Sequence, residues 1–170
     1  MTTIAADFFQ QSTPASFSFA RETRATSAIN EALADIATRT ASTLQSRTIS
    51  VLGRMAQQYT QPGWDGYDAA PIDRAVYERA SAFLQALPLT LEAPDLVPEA
   101  DGQIAIEWFI GPEWTFSVSL SARGPLHYAG LFGPDDEVHG VKTFDGRTIP
   151  EELLGYIKKL FANAAASRAA

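Results

Sequence analysis

Between residues 114 and 121 the chain alternates without interruption, with Trp114, Phe116, Val118 and Leu120 on one parity and Thr115, Ser117, Ser119 and Ser121 on the other. Successive side chains of an extended strand point to opposite sides, so this run predicts a strand with one dry face and one wet face. Such a strand needs neighbours in a sheet and a layer to cover its dry side. Upstream, Ile104, Ile106 and Trp108 alternate with Ala105, Glu107 and Phe109. Turn signals stand at Asp101-Gly102, Gly111-Pro112, Gly124-Pro125, Gly133-Pro134 and Asp145-Gly146. Short turns join antiparallel neighbours, so residues 95–144 predict an antiparallel β-meander of about four to five strands.

The covering layer is helical. Asp73 sits where an N-cap is expected, and Val76, Ala80, Phe83, Leu84 and Leu87 share one face of a helix that Pro88 ends. Thr148-Ile149-Pro150-Glu151 has capping-box spacing ahead of Leu153, Leu154, Ile157, Leu160 and Phe161, which predicts an amphipathic closing helix. Before the sheet, Ile29, Leu33, Ile36, Thr40 and Leu44 recur at three- and four-residue spacing from Glu22 onward. Val51, Leu52, Met55, Ala56 and Tyr59 follow a hydroxyl-rich stretch, Ser46 to Ser50, that favours helix weakly, so one long helix or two shorter ones fit equally. The fold class is therefore α+β, with a meander packed on helices and a long helical segment in front.

Four segments result. Residues 1–20 form an arm with Phe8, Phe9, Phe17 and Phe19, in which Phe17-Ser18-Phe19 alternates as an extended strand does. Residues 21–60 are helical, 61–162 form the α+β core domain, and the small-residue stretch 163–170 reads as a flexible tail. The turn at Gln61 to Pro71 links helix to core, with Trp64 and Tyr67 expected to anchor it.

The chain has no cysteine, which removes disulfides, thiolate metal sites and thiol catalysis. No apolar run approaches the ~20 residues of a membrane span, and residues 1–11 lack the basic start of a signal peptide. Both points lead to a cytoplasmic expectation. The net charge is −7, unevenly spread: residues 1–60 carry five arginines against four acids, while residues 61–170 carry eight basic residues against sixteen acidic ones. An acidic domain repels phosphate and attracts basic surfaces, so direct nucleic-acid binding is not expected and a basic protein partner is.

Little in the sequence points to chemistry. His127 and His139 fall on consecutive strands, and a turn from Gly133 to Asp136 sets His127 opposite a position near 142, too far from His139 for a shared metal. Asp65, Asp68 and Asp73 surround the tryptophan turn, where turn formation and capping account for them. Nucleophile-elbow, phosphate-loop and EF-hand patterns are missing. No catalytic, cofactor or metal-binding residue is assigned, and no cofactor is expected. Partner-binding candidates are Phe8, Phe9, Phe17 and Phe19 in the arm, and Asp135, Asp136 and Glu137, three consecutive acids at a hairpin tip. The helical segment offers a seam for a homodimer.

The run Gly63-Trp64-Asp65-Gly66-Tyr67-Asp68-Ala69-Ala70-Pro71, then Phe83 to Pro88, then Pro98 and Asp101-Gly102-Gln103-Ile104-Ala105-Ile106-Glu107-Trp108, carries a resemblance. Over about residues 62–161 the chain resembles an uncharacterised family of small bacterial and phage-associated proteins. In that family a W-D-G-Y-x-A-x-P turn precedes a helix, a meander opened by P-x-x-D-G-x-I-x-x-E-W, and a closing helix. The resemblance implies a bacterial or phage origin and points toward defence, counter-defence or toxin-neutralising roles. The functional expectation is a non-enzymatic protein-binding regulator or inhibitor, such as a counter-defence protein of the anti-CRISPR kind. The alternatives are an antitoxin or immunity protein, a hydrolase or other enzyme using a histidine and a carboxylate, and a structural or virion-associated subunit.

Overall fold

The computed structural model describes the backbone of residues 15–169 and the side chains of residues 26–166. The chain divides into two units, Met1–Ala37 and Thr38–Ala170. Helix α1 spans Ala15–Gln58, α2 Arg74–Ala86 and α3 Glu151–Ala169. Five strands lie between α2 and α3: β1 (Asp95–Pro98), β2 (Ile104–Gly111), β3 (Trp114–Leu120), β4 (Leu126–Phe132) and β5 (Glu137–Lys142). They pair in sequence order, each antiparallel to the next. The architecture is α+β.

Parity decides what is inside. Ile104, Ile106, Trp108, Phe116, Val118, Leu120, Leu126 and Phe132 point to one side of the sheet and are buried. From α2, Val76, Ala80, Phe83 and Leu84 close over them, and from α3, Leu153, Ile157 and Leu160. Helix packing on a single side leaves the second side of an antiparallel sheet to water or to a partner.

The hydroxyl-rich part of α1 does not break the helix. Thr43 Oγ1, Ser46 Oγ, Thr48 Oγ1 and Ser50 Oγ each donate to the carbonyl four residues back, at 2.8–3.2 Å. Hydroxyls that bond within their own turn stop competing for other conformations, which resolves the choice between one helix and two. Within the second unit α1 buries Thr48, Leu52 and Met55 at heptad spacing. Gln45 Nε2 donates to the carbonyls of Leu84 (2.8 Å) and Leu87 (3.3 Å), satisfying the end of α2.

Several local expectations are corrected. Helix α1 starts at Ala15, so Phe17-Ser18-Phe19 is helical and not extended. Asp73 occupies the N-cap of α2 in extended conformation but makes no side-chain cap hydrogen bond. The capping box does not form: α3 begins at Glu151, and Thr148 lies outside its first turn. Asp145 takes over the local bonding, its Oδ1 accepting from the amides of Arg147 (2.8 Å) and Thr148 (2.7 Å). Helix α3 continues to Ala169, through the segment read as a tail, and buries Ala164 on the way.

Candidate functional site

The sequence-derived candidates separate once placed. Phe8 and Phe9 lie outside the described residues; Phe17 and Phe19 lie on α1, with side chains outside the description. At the β4–β5 hairpin, Asp135 and Glu137 are exposed, but Asp136 is engaged by Lys159 Nζ at 2.7 Å. That ammonium also sits 4.5 Å from the centre of the Phe132 ring, so Asp136 belongs to the attachment of α3 to the sheet. The tip is held by the Phe132 amide donating to Asp136 and the Gly133 amide donating to Glu113, both at 2.8 Å.

The tryptophan turn is half as expected. Trp64 Nε1 donates to the Ala70 carbonyl at 2.9 Å, and the ring meets Tyr59 edge-on with centroids 4.7 Å apart. Asp65 Oδ1 accepts from the amides of Tyr67 (2.9 Å) and Ala69 (3.3 Å), and Gly63 adopts φ +71° where a Cβ would lie 2.9 Å from the Tyr67 carbonyl oxygen. The turn is a closed scaffold. Tyr67, expected as an anchor, is 86% exposed at its surface, because the local bonds turn its side chain outward.

The aliphatic ladder of α1 also differs from a buried face. Within the first unit Ile29, Leu33 and Ile36 are 59%, 59% and 60% exposed. In the second unit an open groove of about 680 Å³ runs between α1 and α2, with Ile49, Leu52, Ala56, Tyr77 and Ala82 as its apolar lining.

The outward side of the sheet is organised in cross-strand rows. One row runs Asp95, Glu107, Ser117, Ala129, His139; the next runs Val97, Ala105, Ser119, His127, Val141. A third contains Phe109, Thr115, Leu131 and Glu137. The hairpin register pairs Leu131 with Glu137 and His127 with Val141, one step from the expected alignment. His127 and His139 are therefore diagonal neighbours on one face, not separated along the hairpin. Among the described residues, no group of three or more metal-ligating side chains forms.

Beside these rows, Glu99 Oε2 and Gln103 Oε1 are buried without a hydrogen-bond partner, at the β1–β2 turn where the Glu99 amide donates to the Gln103 carbonyl (2.9 Å). Burial pushes the Glu99 carboxyl above the usual carboxylate range; a hydrogen bond with Ser119 opposes the rise and the charge of Asp101 adds to it.

On the inward side, an aromatic cluster closes the β4–β5 end. Phe116, Phe132 and Tyr128 meet Tyr156 of α3 with centroids 5.6–5.9 Å apart. Two glycines make the room: a Cβ on Gly130 would lie 2.7 Å from the Phe116 ring, and one on Gly140 would lie 2.7 Å from the Tyr128 hydroxyl. Glu152 accepts from the phenols of Tyr156 (3.0 Å) and Tyr128 (3.4 Å) and is paired with Lys142. Lys142 holds the Glu152 carboxyl below its ordinary range, and Glu152 pushes the Tyr156 phenol up to about 12.

Sequence reasoning missed both the outward rows and the Glu152 cluster. Strand parity was the available signal for the first; the second joins residues from β4, β5 and α3 that no local spacing links. Comparison of the chain with protein-family models, with curated proteins and with solved structures returns no match. Among the described residues, no helix is long and apolar enough to cross a membrane.

Proposed function

We propose that this chain is a non-enzymatic protein-binding regulator or inhibitor of bacterial or phage origin, acting in the cytoplasm as a counter-defence protein of the anti-CRISPR kind does. An antitoxin or immunity role is the nearest variant. The observation that carries the reading is the exposed ladder Ile29, Leu33 and Ile36 on α1. Residues at this spacing share one helix face, and helices in water owe most of their stability to packing of such a face. Covering three large aliphatics removes apolar surface from water at about 25 cal/mol per Å², a gain that a partner supplies. The acidic balance of residues 61–170 favours a basic partner and slows encounters with acidic ones.

The same ladder favours a second reading, a homodimer or structural subunit joined through α1, since spacing of three and four residues is that of a coiled-coil seam. The test compares the tagged full chain with its Leu33→Asp and Ile36→Asp variants, each recovered natively from a bacterial host. A stoichiometric partner that is bound by the parent and lost from both variants supports the regulator. Self-association lost from both variants supports the subunit. Recovery of a lone monomer in every case sinks both readings.

A further inference from the structure

We infer that the outward face of the sheet is a docking surface for a basic amphipathic helix of another protein, an inference that rests on the protein-binding reading above. Charge is the first argument. The outward-pointing positions of β1 to β5 include Asp95, Glu107 and Glu137 and contain neither lysine nor arginine. The lysine closest in sequence, Lys142, has the opposite parity and is committed to Glu152. A surface with carboxylates and no fixed cation is complementary to lysine and arginine, and it disfavours phosphate.

Relief is the second argument. The centre of the face carries the half-buried Ser117 and Ser119 and the exposed Ala129, with Ala105 buried beside them at 6% exposure, while Phe109, Val97 and Val141 stand around it at 59%, 39% and 54% exposure. Small residues in the middle of a twisted sheet with larger apolar residues at the margin form a shallow trough. An ordinary solvated face alternates long polar side chains there; this one offers apolar contact with acidic flanks.

The third argument selects a helix over an extended peptide. An added strand pairs with unsatisfied backbone groups at a sheet edge, whereas the backbone of β2, β3 and β4 is paired on both sides. A partner on the face must bring side chains. An amphipathic helix does so with an apolar stripe for the trough and flanking lysines or arginines for the three carboxylates.

The test is an amide-resolved NMR titration of the full chain with a helix-forming peptide bearing a leucine stripe flanked by lysines, and with its charge mirror bearing glutamates. Shifts are expected at Ser117, Ser119, His127 and Ala129 with the lysine peptide and not with its mirror. Affinity is expected to fall about ten-fold in the Asp95→Lys, Glu137→Lys double variant and to hold in Asp135→Lys at the exposed tip. Thermal melts confirm that each variant folds. Equal binding by both peptides, shifts confined to the ladder of α1 or the hairpin tip, or no binding overturns the docking surface. The natural partner separates the two levels. A partner lost from Leu33→Asp but retained by the Asp95→Lys, Glu137→Lys variant defeats this face and leaves the protein-binding reading standing, while a chain without any partner defeats both.

Discussion

The phenol of Tyr77, on α2, donates a 2.8 Å hydrogen bond to the backbone carbonyl of Met55 in the last turn of α1. That carbonyl also accepts from the Tyr59 amide at 3.1 Å, so it ends the helix and ties it to α2 at once. Burial holds the Tyr77 hydroxyl protonated well into alkali, its pKa pushed up first by desolvation and then by Tyr59. Tyr77→Phe removes the donor while the carbonyl keeps its second partner. The expected cost is about 1 kcal/mol, read as a lower urea midpoint with an unchanged slope.

Trp64 and Tyr67 lie three residues apart and have opposite roles. Trp64 is half-buried and hydrogen-bonded, whereas Tyr67 is exposed. Trp64→Ala should cost about 2–3 kcal/mol, and Tyr67→Ala should stay within about 0.5 kcal/mol. Equal losses in denaturant melts would show that the turn is held by both rings.

Two glycine substitutions should shift stability in opposite directions. Alanine at Gly130 puts a Cβ 2.7 Å from the Phe116 ring and 3.0 Å from the Phe132 ring, both fixed in the core. Overpacking of that kind costs about 1–3 kcal/mol. Gly53, inside α1, has nothing within 4 Å of a Cβ, so Gly53→Ala should stabilise by about 0.5–1 kcal/mol through helix propensity. Calorimetric melting temperatures of the two variants check the pair.

Two carboxyl groups shifted in opposite directions should shape the pH dependence. Glu152, held low by Lys142 and Tyr156, contributes stability that is present above the unfolded glutamate pKa of about 4.3 and lost as pH falls through its lower folded value. Glu99, raised by burial, contributes in the reverse sense: its share is present below about 4.3 and lost as pH rises through its higher folded value. Glu99→Gln should therefore flatten the loss above pH ~4.3, because the amide does not ionise in the buried position. Glu152→Gln should flatten the acid side. Urea midpoints across pH distinguish the two.

Tyr156 offers a direct spectroscopic check. Its phenol is pushed up to about 12 by Glu152, so it should ionise after ordinary tyrosines near ~10, and the stability it lends is lost only through that window. Tyrosinate absorbance should lose its latest component in Tyr156→Phe and shift it downward in Glu152→Gln.

Much of this architecture is legible in the sequence, for identifiable reasons. The run from Trp114 to Ser121 exposes its parity directly, and glycine-containing turns set off every strand, so meander and order follow from local residues. The buried face of α2 is equally plain, because Val76, Ala80, Phe83 and Leu84 have one spacing and one destination. The ladder of α1 shows the limit: Ile29, Leu33 and Ile36 have the same spacing and no burial, since periodicity reports which residues share a face and not what covers it. The hairpin register moved by one step because turn residues alone do not count the pairs that close a tip. Lys159 reaching Asp136, and Glu152 joining Lys142, Tyr128 and Tyr156, depend on tertiary approach between α3 and distant strands. Local spacing does not encode them.

Strand order that follows chain order has a consequence for synthesis. Each strand finds its mate in the segment translated just before it, so loop closure between β1 and β5 is cheap and zipping can proceed from the N-terminal side. Helix α3 is the last element made, and it supplies Leu153, Ile157 and Leu160 to the core together with Tyr156 against Phe116 and Phe132. Until α3 has emerged from the ribosome, α2 alone covers the inward side of the sheet and the part that Leu153, Ile157 and Leu160 fill stays bare, so that interval is when aggregation or chaperone capture is most acute.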